Sequence, residues 1–587
     1  MEVFFLNKSK SIVKTALKGT IMHFFTLILL SIAISYLTYL ISMNIKYAID
    51  GVLFSNYNEI PIYINKIMKH NYIFDLLIIS IIIICLNLIE KLLNYFRKRI
   101  TTKFELKINA NLKSSLYKHV LNLEYESYNS YDKIEMMQRI NEDSEVYANF
   151  FKEQFNVILD IIFLTVFILD EGITLNRAIS TYILLGVIVM LLFSLWYFKN
   201  LGIRIENMII KRKKLLNLTI NNISNFKFIR MFNKQKEEND NYKILNDDYC
   251  REENIFIKLV LFYEIILEHL AHLSSPIIYI IGGIAIIKGN MTMGSLIAFN
   301  TLAEKIFSYI YTFGSNLEII DNFQIVTKKI KKIFNLKEEN KENYQFNLDG
   351  RIIFSNVSIY LDDKNILKNI NFIIEKGEHV AIIGENGSGK SVLAKTILGF
   401  YKYDGNIYIN NQNIKRLNKE NIRRYVELVL GESYMFSGSI IENLELNKNM
   451  EQKELDKITR DSDIKSDIDR FEDGYNTLIG EKGAKLSGGQ KQRICIARSL
   501  VNNKPIIILD EALNKLDSKT REKILLNLKN KYNEKTIILV SNNLEIIDYV
   551  SKIIYINGKT TQTGTHNQLL AKSKNYRNLI KMKENVI

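Results

Sequence analysis

The chain has 587 residues, 47% hydrophobic and 24% charged, with only 3 prolines and a formal net charge of +15. That length exceeds a single hydrophobic core and implies about two to four domains, and so little proline favours long helices. The charge does not mark a nucleic-acid binder: the basic residues cluster beside apolar spans, where cytoplasmic membrane flanks place them, and no basic-aromatic module appears.

At the start, Lys8, Lys10, Lys14 and Lys18 precede an apolar run. The run is too long for a secretory signal, lacks a small-residue cleavage site and is followed by further spans, so an uncleaved membrane anchor is expected. No peptidase-like segment precedes it, so leader-peptide processing by this chain is not expected. Six apolar segments can be drawn, at about 21–44, 72–93, 154–170, 178–198, 256–287 and 294–320, the third and sixth weak by themselves.

The loop at 95–150 carries Arg97, Lys98, Arg99, Lys103 and Lys107, and the loop at 199–255 carries Arg204, Lys211, Arg212, Lys213 and Lys214. The intervening loops are short or poor in Lys and Arg. This asymmetry places both termini and both long loops in the cytoplasm of a multi-pass protein of the cell membrane, embedded in the lipid bilayer. Neither 101–150 nor 200–255 contains proline, and apolar residues recur there at helical spacing. The membrane helices are therefore expected to run about 35–40 Å beyond the bilayer and to turn back near Glu124–Tyr131 and Asn221–Phe228.

Ionisable residues inside apolar spans are costly and mark functional candidates. Glu264, Glu268 and His272 fall four apart on one stripe of the fifth segment, with His269 beside them. Asp160 in the third segment and the Glu304-Lys305 pair in the sixth also qualify. The pattern fits a polar cavity for a cationic or peptidic substrate, and equally interhelical polar contacts or a cytoplasmic extension of the helix. Cys85, Cys250 and Cys495 form no C-x-x-C pair, so neither a zinc site nor a disulfide framework is indicated; all three are expected to be small buried apolar residues.

Between Ile333 and Tyr344 the composition shifts to Lys, Glu and Asn, which divides the chain into an all-α membrane domain at 1–335, a linker at 336–345 and a second domain at 346–587. There, short β-rich segments alternate with helices: Ile352–Ile359, Ile370–Ile374, Val380–Ile383, Ile506–Leu509, Thr536–Val540 and Ile553–Ile556. This is α/β architecture, a mainly parallel sheet beside an antiparallel layer.

Gly384-Glu385-Asn386-Gly387-Ser388-Gly389-Lys390-Ser391 fits the phosphate-binding pattern G-x-x-x-x-G-K-[ST], between the apolar segment His379–Ile383 and a helical stretch from Val392. Its glycines let backbone N–H groups curl around phosphate oxygens; Lys390 would reach the β- and γ-phosphates of ATP, and Ser391 would hold Mg²⁺. The apolar strand Ile506–Leu509 ends in Asp510 and Glu511. Asp510 can hold Mg²⁺ through water, and Glu511 can orient or deprotonate the attacking water. A third element, Leu486-Ser487-Gly488-Gly489-Gln490, opens a helix and makes a second anion site. One nucleotide does not need two phosphate cradles, so the second is read as closing over ATP held by another copy of the domain, head to tail.

These residues resemble the ATP-binding cassette (ABC) superfamily, in particular exporter-type half-transporters with six membrane helices ahead of one P-loop NTPase domain. The resemblance covers essentially the whole chain: Gly384–Ser391 as Walker A, Leu486–Gln490 as the signature and Ile506–Glu511 as Walker B, with further matches at Gly480–Gly483, Leu516-Asp517 and Gly564–His566. It implies ATP-driven export of a drug, peptide or lipid-like substrate by a dimer, with the turns at Glu124–Tyr131 and Asn221–Phe228 as coupling helices.

Four positions depart from the family. Asn542 stands where the switch histidine falls, and cannot carry its positive charge. Gly431, beside Glu432, replaces the Q-loop glutamine. The aromatic that stacks on adenine aligns with Leu361, leaving neighbouring Tyr360 as the aromatic candidate. Asn514-Lys515 replaces Ser-Ala before the D-loop's Leu-Asp. The resemblance thus implies a slow site of the chain's own beside an intact signature, which suits a heterodimer slightly better than a homodimer. The competing class is a sensor or channel-like protein on the same frame.

Overall fold

The computed structural model describes residues 9–339, 350–361, 364–446 and 450–584. Lys8 and the 340–345 part of the expected linker lie outside them. Two compact units emerge: Met1–Leu121 with Tyr131–Leu336, and Asn122–Ser130 with Lys337–Ile587. Residues 122–130 belong to the second unit together with those from Lys337 onward.

The first unit is helical. After α1 (Ser9–Ala16) come α2 (Ile21–Lys46) and α3 (Tyr72–Leu121), the latter 50 residues and so about 75 Å long. The side-chain amide of Asn111 on α3 donates to the carbonyls of Ala16 and Lys18, satisfying the end of α1. Helix α4 (Tyr125–Asn129) lies in the second unit and is described with it. In the first unit there follow α5 (Phe155–Leu175), α6 (Arg177–Ser224), the short α7 (Phe226–Met231), α8 (Gln235–His272) and α9 (Ser274–Ile287). Helices α10 (Met293–Ser315) and α11 (Leu317–Phe334) complete it. The fifth apolar segment is thus two helices. Pro276 explains the break, since its ring and missing N–H disrupt the turn back to His272.

Four described helices are long and apolar enough to cross a membrane: Ile21–Leu53, Tyr72–Leu121, Arg177–Tyr197 and Gln235–Ile287. Those of the third and sixth segments are not among them. Their support is packing: α5 and α10 both contact α2, and the buried apolar cluster includes Ile161, Leu164, Ile168, Phe299, Ile306 and Ile310 from these two helices.

The second unit has two sheets. Strands β1 (Ile352–Leu361), β2 (Lys364–Ile374), β4 (Tyr403–Ile409) and β5 (Gln412–Asn413) form an antiparallel layer in the order β2-β1-β4-β5. Strands β3 (His379–Gly384), β6 (Val426–Leu430), β7 (Ile506–Asp510), β8 (Thr536–Val540), β9 (Lys552–Asn557) and β10 (Thr560–Gly564) form the other sheet in the order β10-β9-β3-β8-β7-β6. It is parallel apart from the β9–β10 hairpin. Strands β7 and β8 are buried along their whole length, which is why they read as unbroken Ile-Leu-Val runs rather than alternating ones.

Helix α4 is held in this unit by several contacts. Leu123 bridges to Glu338, the Glu339 N–H donates to Asn122 O at 2.8 Å, and Tyr125 packs on Phe400 with ring centroids 4.8 Å apart. Glu126 accepts from the Lys402 main chain at 3.0 Å and pairs with its ammonium at 2.5 Å. Only Cys495 is buried as expected; Cys85 and Cys250 are exposed on helices. Cys85 lies in the apolar stretch of α3, where an exposed side chain can face lipid.

Candidate nucleotide site

Strand order builds the site. Strands β3, β8 and β7 are consecutive neighbours, all parallel, so their carboxyl ends emerge together. From those ends come the loop after Gly384, the Ser541-Asn542 pair, and Asp510 with Glu511.

The loop runs from β3 into α12 (Lys390–Ile397). Gly387 and Gly389 have φ of +76° and +95°, and a Cβ on Gly389 would stand 2.8 Å from Ile366 Cγ2, so glycine is required there on both counts. Lys390 is buried, and its ammonium donates to Gly384 O at 3.0 Å and Glu385 O at 2.7 Å. Ser388 Oγ is buried with no protein partner, an available donor inside the loop. Ser391 Oγ donates to Asp510 Oδ1 at 2.7 Å, across 119 residues of sequence. These features fit a triphosphate: the glycines at 387 and 389, the Lys390 ammonium and Ser391 line one cavity of about 480 Å³.

Glu511 has φ of +55°, a conformation disfavoured for any residue but glycine, and is pinned there by its N–H bond to Val540 O at 2.8 Å. Asn542 donates from Nδ2 to Asn386 Oδ1 at 2.5 Å and to Glu511 Oε1 at 3.4 Å. The loop residue Asn386, the switch position and the carboxylate are thus joined.

The second anion element stands apart. Ser487 caps α13 (Gly488–Val501): its Oγ accepts from the Gln490 N–H at 3.2 Å while Gln490 Oε1 accepts from the Ser487 N–H at 2.9 Å. Gln490 is spent on this box and on Asp467, so the groups offered outward are Ser487 and the amides of Gly488 and Gly489. Ser487 and Gly488 are exposed, and none of the four lines the cavity at Lys390.

With that geometry in place, comparison with known proteins is decisive. The ABC transporter transmembrane region profile matches residues 20–310, and the ABC transporter profile matches residues 367–514 of the same chain. The chain belongs to the ABC transporter family. It is similar to an export ATP-binding/permease protein, so named, of Rickettsia bellii, 28% identical over 525 residues, covering 86% of this chain and 89% of that one. It is also similar to the alpha-hemolysin translocation ATP-binding protein HlyB of Escherichia coli O157:H7, 35% identical over 301 residues, which is 50% of this chain but only 42% of HlyB. The solved structure of a bacterial Atm1-family ABC exporter with ATP bound superposes with a TM-score of 0.83, 21% identity, and 96% and 99% coverage, and shows the shared fold. As an exporter-type half-transporter the chain binds ATP and is an ATPase coupled to transport across a membrane.

The ABC transporter's departures now have surroundings. A Cβ at Gly431 would lie 3.2 Å from both Glu511 Cβ and Glu511 O, so the missing Q-loop side chain leaves room taken up by Glu511 itself. Glu432 lines an adjoining cavity of about 400 Å³ with Ser391, Lys395 and Asp510. The Q-loop is tethered instead by Gln492, whose Nε2 donates to Leu430 O at 3.1 Å and whose Oε1 accepts from Ser433 Oγ at 2.5 Å. Sequence reading missed Gln492; its place two residues after Gln490 on a buried helical face was the available signal. Tyr360 is a correction. Leu361 lines the nucleotide cavity, whereas Tyr360, on the opposite side of β1 by strand alternation, lines a separate cavity with Phe400 and Lys402.

In the membrane half, Asp160 follows the second of its two readings, an interhelical polar contact. It is buried and paired with Arg97 at 2.5 Å, and Arg97 further donates to Ser31 Oγ and Asn94 Oδ1. This is an interhelical ion pair, with Arg97 folded into the helix bundle rather than into a basic loop. Glu304 accepts from Asn300 at 2.8 Å and Ser275 at 3.1 Å, joining α10 to α9. On α8, Glu268 and His272 are exposed and Glu264 is half-buried, all on one stripe. Glu90, unmarked in the sequence reading, is buried 3.9 Å from Lys305.

Proposed function

We propose that the chain is one half of a dimeric exporter in the plasma membrane, both termini cytoplasmic, that expels a cationic drug, peptide or peptide-like substrate. The domains are a membrane half to about 335 and a cassette from about 346. ATP lies on Gly384–Ser391, with Lys390 against its terminal phosphates. Ser391 Oγ and Asp510 Oδ1 are hard oxygen donors 2.7 Å apart, the kind Mg²⁺ takes, and the ion would neutralise phosphate charge there. Glu511, held by its backbone bond to Val540, orients the attacking water and takes its proton. Asn542 steadies Glu511 through Nδ2, as a neutral amide rather than an imidazolium.

The observation that carries the dimer is a pair of surfaces left exposed among the described residues. Ser487 and Gly488 offer an anion site away from the chain's own cradle. Phe226, Phe228, Met231 and Phe232, at and just beyond α7, are exposed by 58%, 59%, 72% and 68%. The apolar window of α6 ends at Tyr197, so α7 begins about 40 Å farther along, well past the bilayer. Aromatic side chains at that distance from lipid need protein cover, and a second half-transporter's cassette is the partner that supplies it. Gly431 and Asn542 favour a heterodimer, in which this chain's Ser487–Gln490 serves the faster site. Copurification from native membranes tests this: a second cassette-bearing chain supports the heterodimer, whereas this chain alone in the particle overturns it. The Glu264, Glu268 and His272 stripe supports a cationic substrate because it sets two carboxylates one turn apart on α8, with Glu268 exposed.

A further inference from the structure

Residues 54–71, between α2 and α3, fold into a cap that buries one apolar set and leaves another bare. Ile60, Ile64 and Met68 recur at helical spacing around the short helix Ile62–Asn65 and pack inward on Val52, in the last turns before the loop, and Ile79 of α3. Asp75 at the start of α3 is fully buried and accepts from the Lys69 N–H at 3.0 Å and the Tyr57 hydroxyl at 3.2 Å, which ties both halves of the cap to the helix. Outside this core stand Phe54, Ile62, Ile67 and Ile73, exposed by 60–76%. A cap held this firmly has no need of large apolar side chains on its outer side unless something covers them.

Two observations say what that cover is. The cap leaves one membrane-crossing helix at Leu53 and enters the next at Tyr72, and exposed apolar side chains continue from Ile73 along α3 through Leu77, Ile81, Ile84 and Leu88. The bare face is thus an extension of the surface that α3 presents to lipid. Beside it, Lys66, Lys69 and His70 are exposed, against a single acidic residue, Glu59, in the whole of 54–71. Apolar side chains on one side and basic ones next to them are the pattern of a segment lying in the membrane interface, its lysine stems along the acyl boundary and their ammonium groups at the phosphates. We propose that this cap is a membrane-surface anchor: Phe54, Ile62 and Ile67 enter the boundary between headgroups and acyl chains, and Lys66 and Lys69 meet lipid phosphates. The inference rests on the proposed orientation only in naming the leaflet, which is then the outer one.

Spin-label accessibility on the full-length chain in its purified assembly, in nanodiscs of phosphatidylethanolamine and phosphatidylglycerol, tests it. The exposed Cys85 and Cys250 are replaced by Ala, buried Cys495 is kept, and a nitroxide is placed at Ile62→Cys or Ile67→Cys. Collision with oxygen, which concentrates in lipid, is compared with collision with a neutral water-soluble nickel chelate. For side chains sunk in the interface, the oxygen-to-nickel ratio at both sites is about threefold above that of a label at Lys453→Cys, on the exposed surface of the cassette. A ratio equal to that at Lys453 means water and overturns the proposal; low collision rates with both reagents mean cover by a partner chain and overturn it too. If one label disturbs the melting curve, the other site decides. Lys66→Glu with Lys69→Glu lowers the ratio at Ile67 about twofold, and an unchanged ratio overturns the contact with lipid phosphates. Orientation is read separately, by a membrane-impermeant maleimide on Lys66→Cys in intact cells: labelling without permeabilisation supports the outer leaflet, and labelling only after permeabilisation overturns that orientation while the collision ratios still judge the anchor.

Discussion

The cassette carries two candidate phosphate-binding surfaces, and they are not equal. Around Lys390, the residues proposed to meet phosphate and metal are all present, but the positions surrounding them depart from the family pattern: a glycine at 431, an amide at 542, an aliphatic side chain at 361. Around Ser487 nothing is altered. The capping box is closed, the glycine amides are bare, and the helix behind them is buried from Ile494 to Val501 apart from Arg498. A surface kept whole beside one that has drifted points to unequal use. In the proposed heterodimer the signature half would act on another chain's nucleotide, and the Walker half would bind ATP and turn it over slowly.

The largest expected effect separates these halves. A Cβ added at Gly488 would meet no atom within 4 Å, and the backbone there is free of positive φ, so Gly488→Asp folds, yet sets a carboxylate against the incoming triphosphate. In the heterodimer, turnover by the whole assembly drops about 100-fold, whereas Glu511→Gln leaves more than half of it. The reverse ranking would make this chain's own site the working one, and complete loss with Glu511→Gln would fit a homodimer.

Next, Asn542→His raises turnover at the Walker half about tenfold and adds a pH dependence near the imidazole range of about 6–7, with more activity on the acid side, where the ring is charged. A steady-state pH profile identical to wild type would show that position 542 does not limit the site.

A smaller effect is expected in the membrane half. Glu264→Ala with Glu268→Ala reduces stimulation of the ATPase by a cationic peptide about two- to fivefold, the scale of lost solvent-accessible charge pairs. Unchanged stimulation would remove this stripe from the transport path.

The smallest concerns His379, at the start of β3, whose imidazole burial holds below the usual 6.5. Above pH 6.5 the ring is neutral folded and unfolded, so it contributes nothing. As pH falls below 6.5 the unfolded chain takes up the proton first, and stability declines. His379→Asn flattens the fall in melting temperature between pH 7 and 5 by about 2 °C; an unaltered slope would place the acid sensitivity elsewhere.

What could be read from the sequence differs along the chain for physical reasons. Gly384–Ser391, Asp510 and Ser487–Gln490 were legible as motifs because phosphate chemistry fixes residue type and spacing locally; strand order brings Ser391 and Asp510 to 2.7 Å, whereas Ser487–Gln490 opens a separate helix. The extended helices were legible because no proline falls in 101–150 or 200–255 and apolar residues recur there at helical spacing, carrying α3 to Leu121 and α6 to Ser224. Tyr360 was misplaced because a one-residue step on a strand reverses the face, and sequence alone does not show which face meets the cradle. Asp160 and Arg97 lie 63 residues apart, and a pair made between helices leaves no local trace. The same holds for Glu90 with Lys305. Strands β4 and β6 escaped notice because Tyr403–Ile409 is broken by Gly405 and Val426–Leu430 contains Glu427, so neither is an unbroken apolar run. The placement of 122–130 in the second unit depends on backbone bonds from Asn122 and Glu124 to 337–339, which are set by the fold and not by composition.

The central claim is that the Ser487–Gly489 surface of one chain closes on the Lys390 cradle of another. Cysteine cross-linking across that junction, in full-length assemblies carrying Ser388→Cys in one half-transporter and a cysteine at the signature serine of the other, measures it most directly. The expected result is an intermolecular cross-link that rises with ATP and falls with Lys390→Ala. A yield that is the same with and without ATP, or no cross-link at any ATP concentration, would contradict the claim.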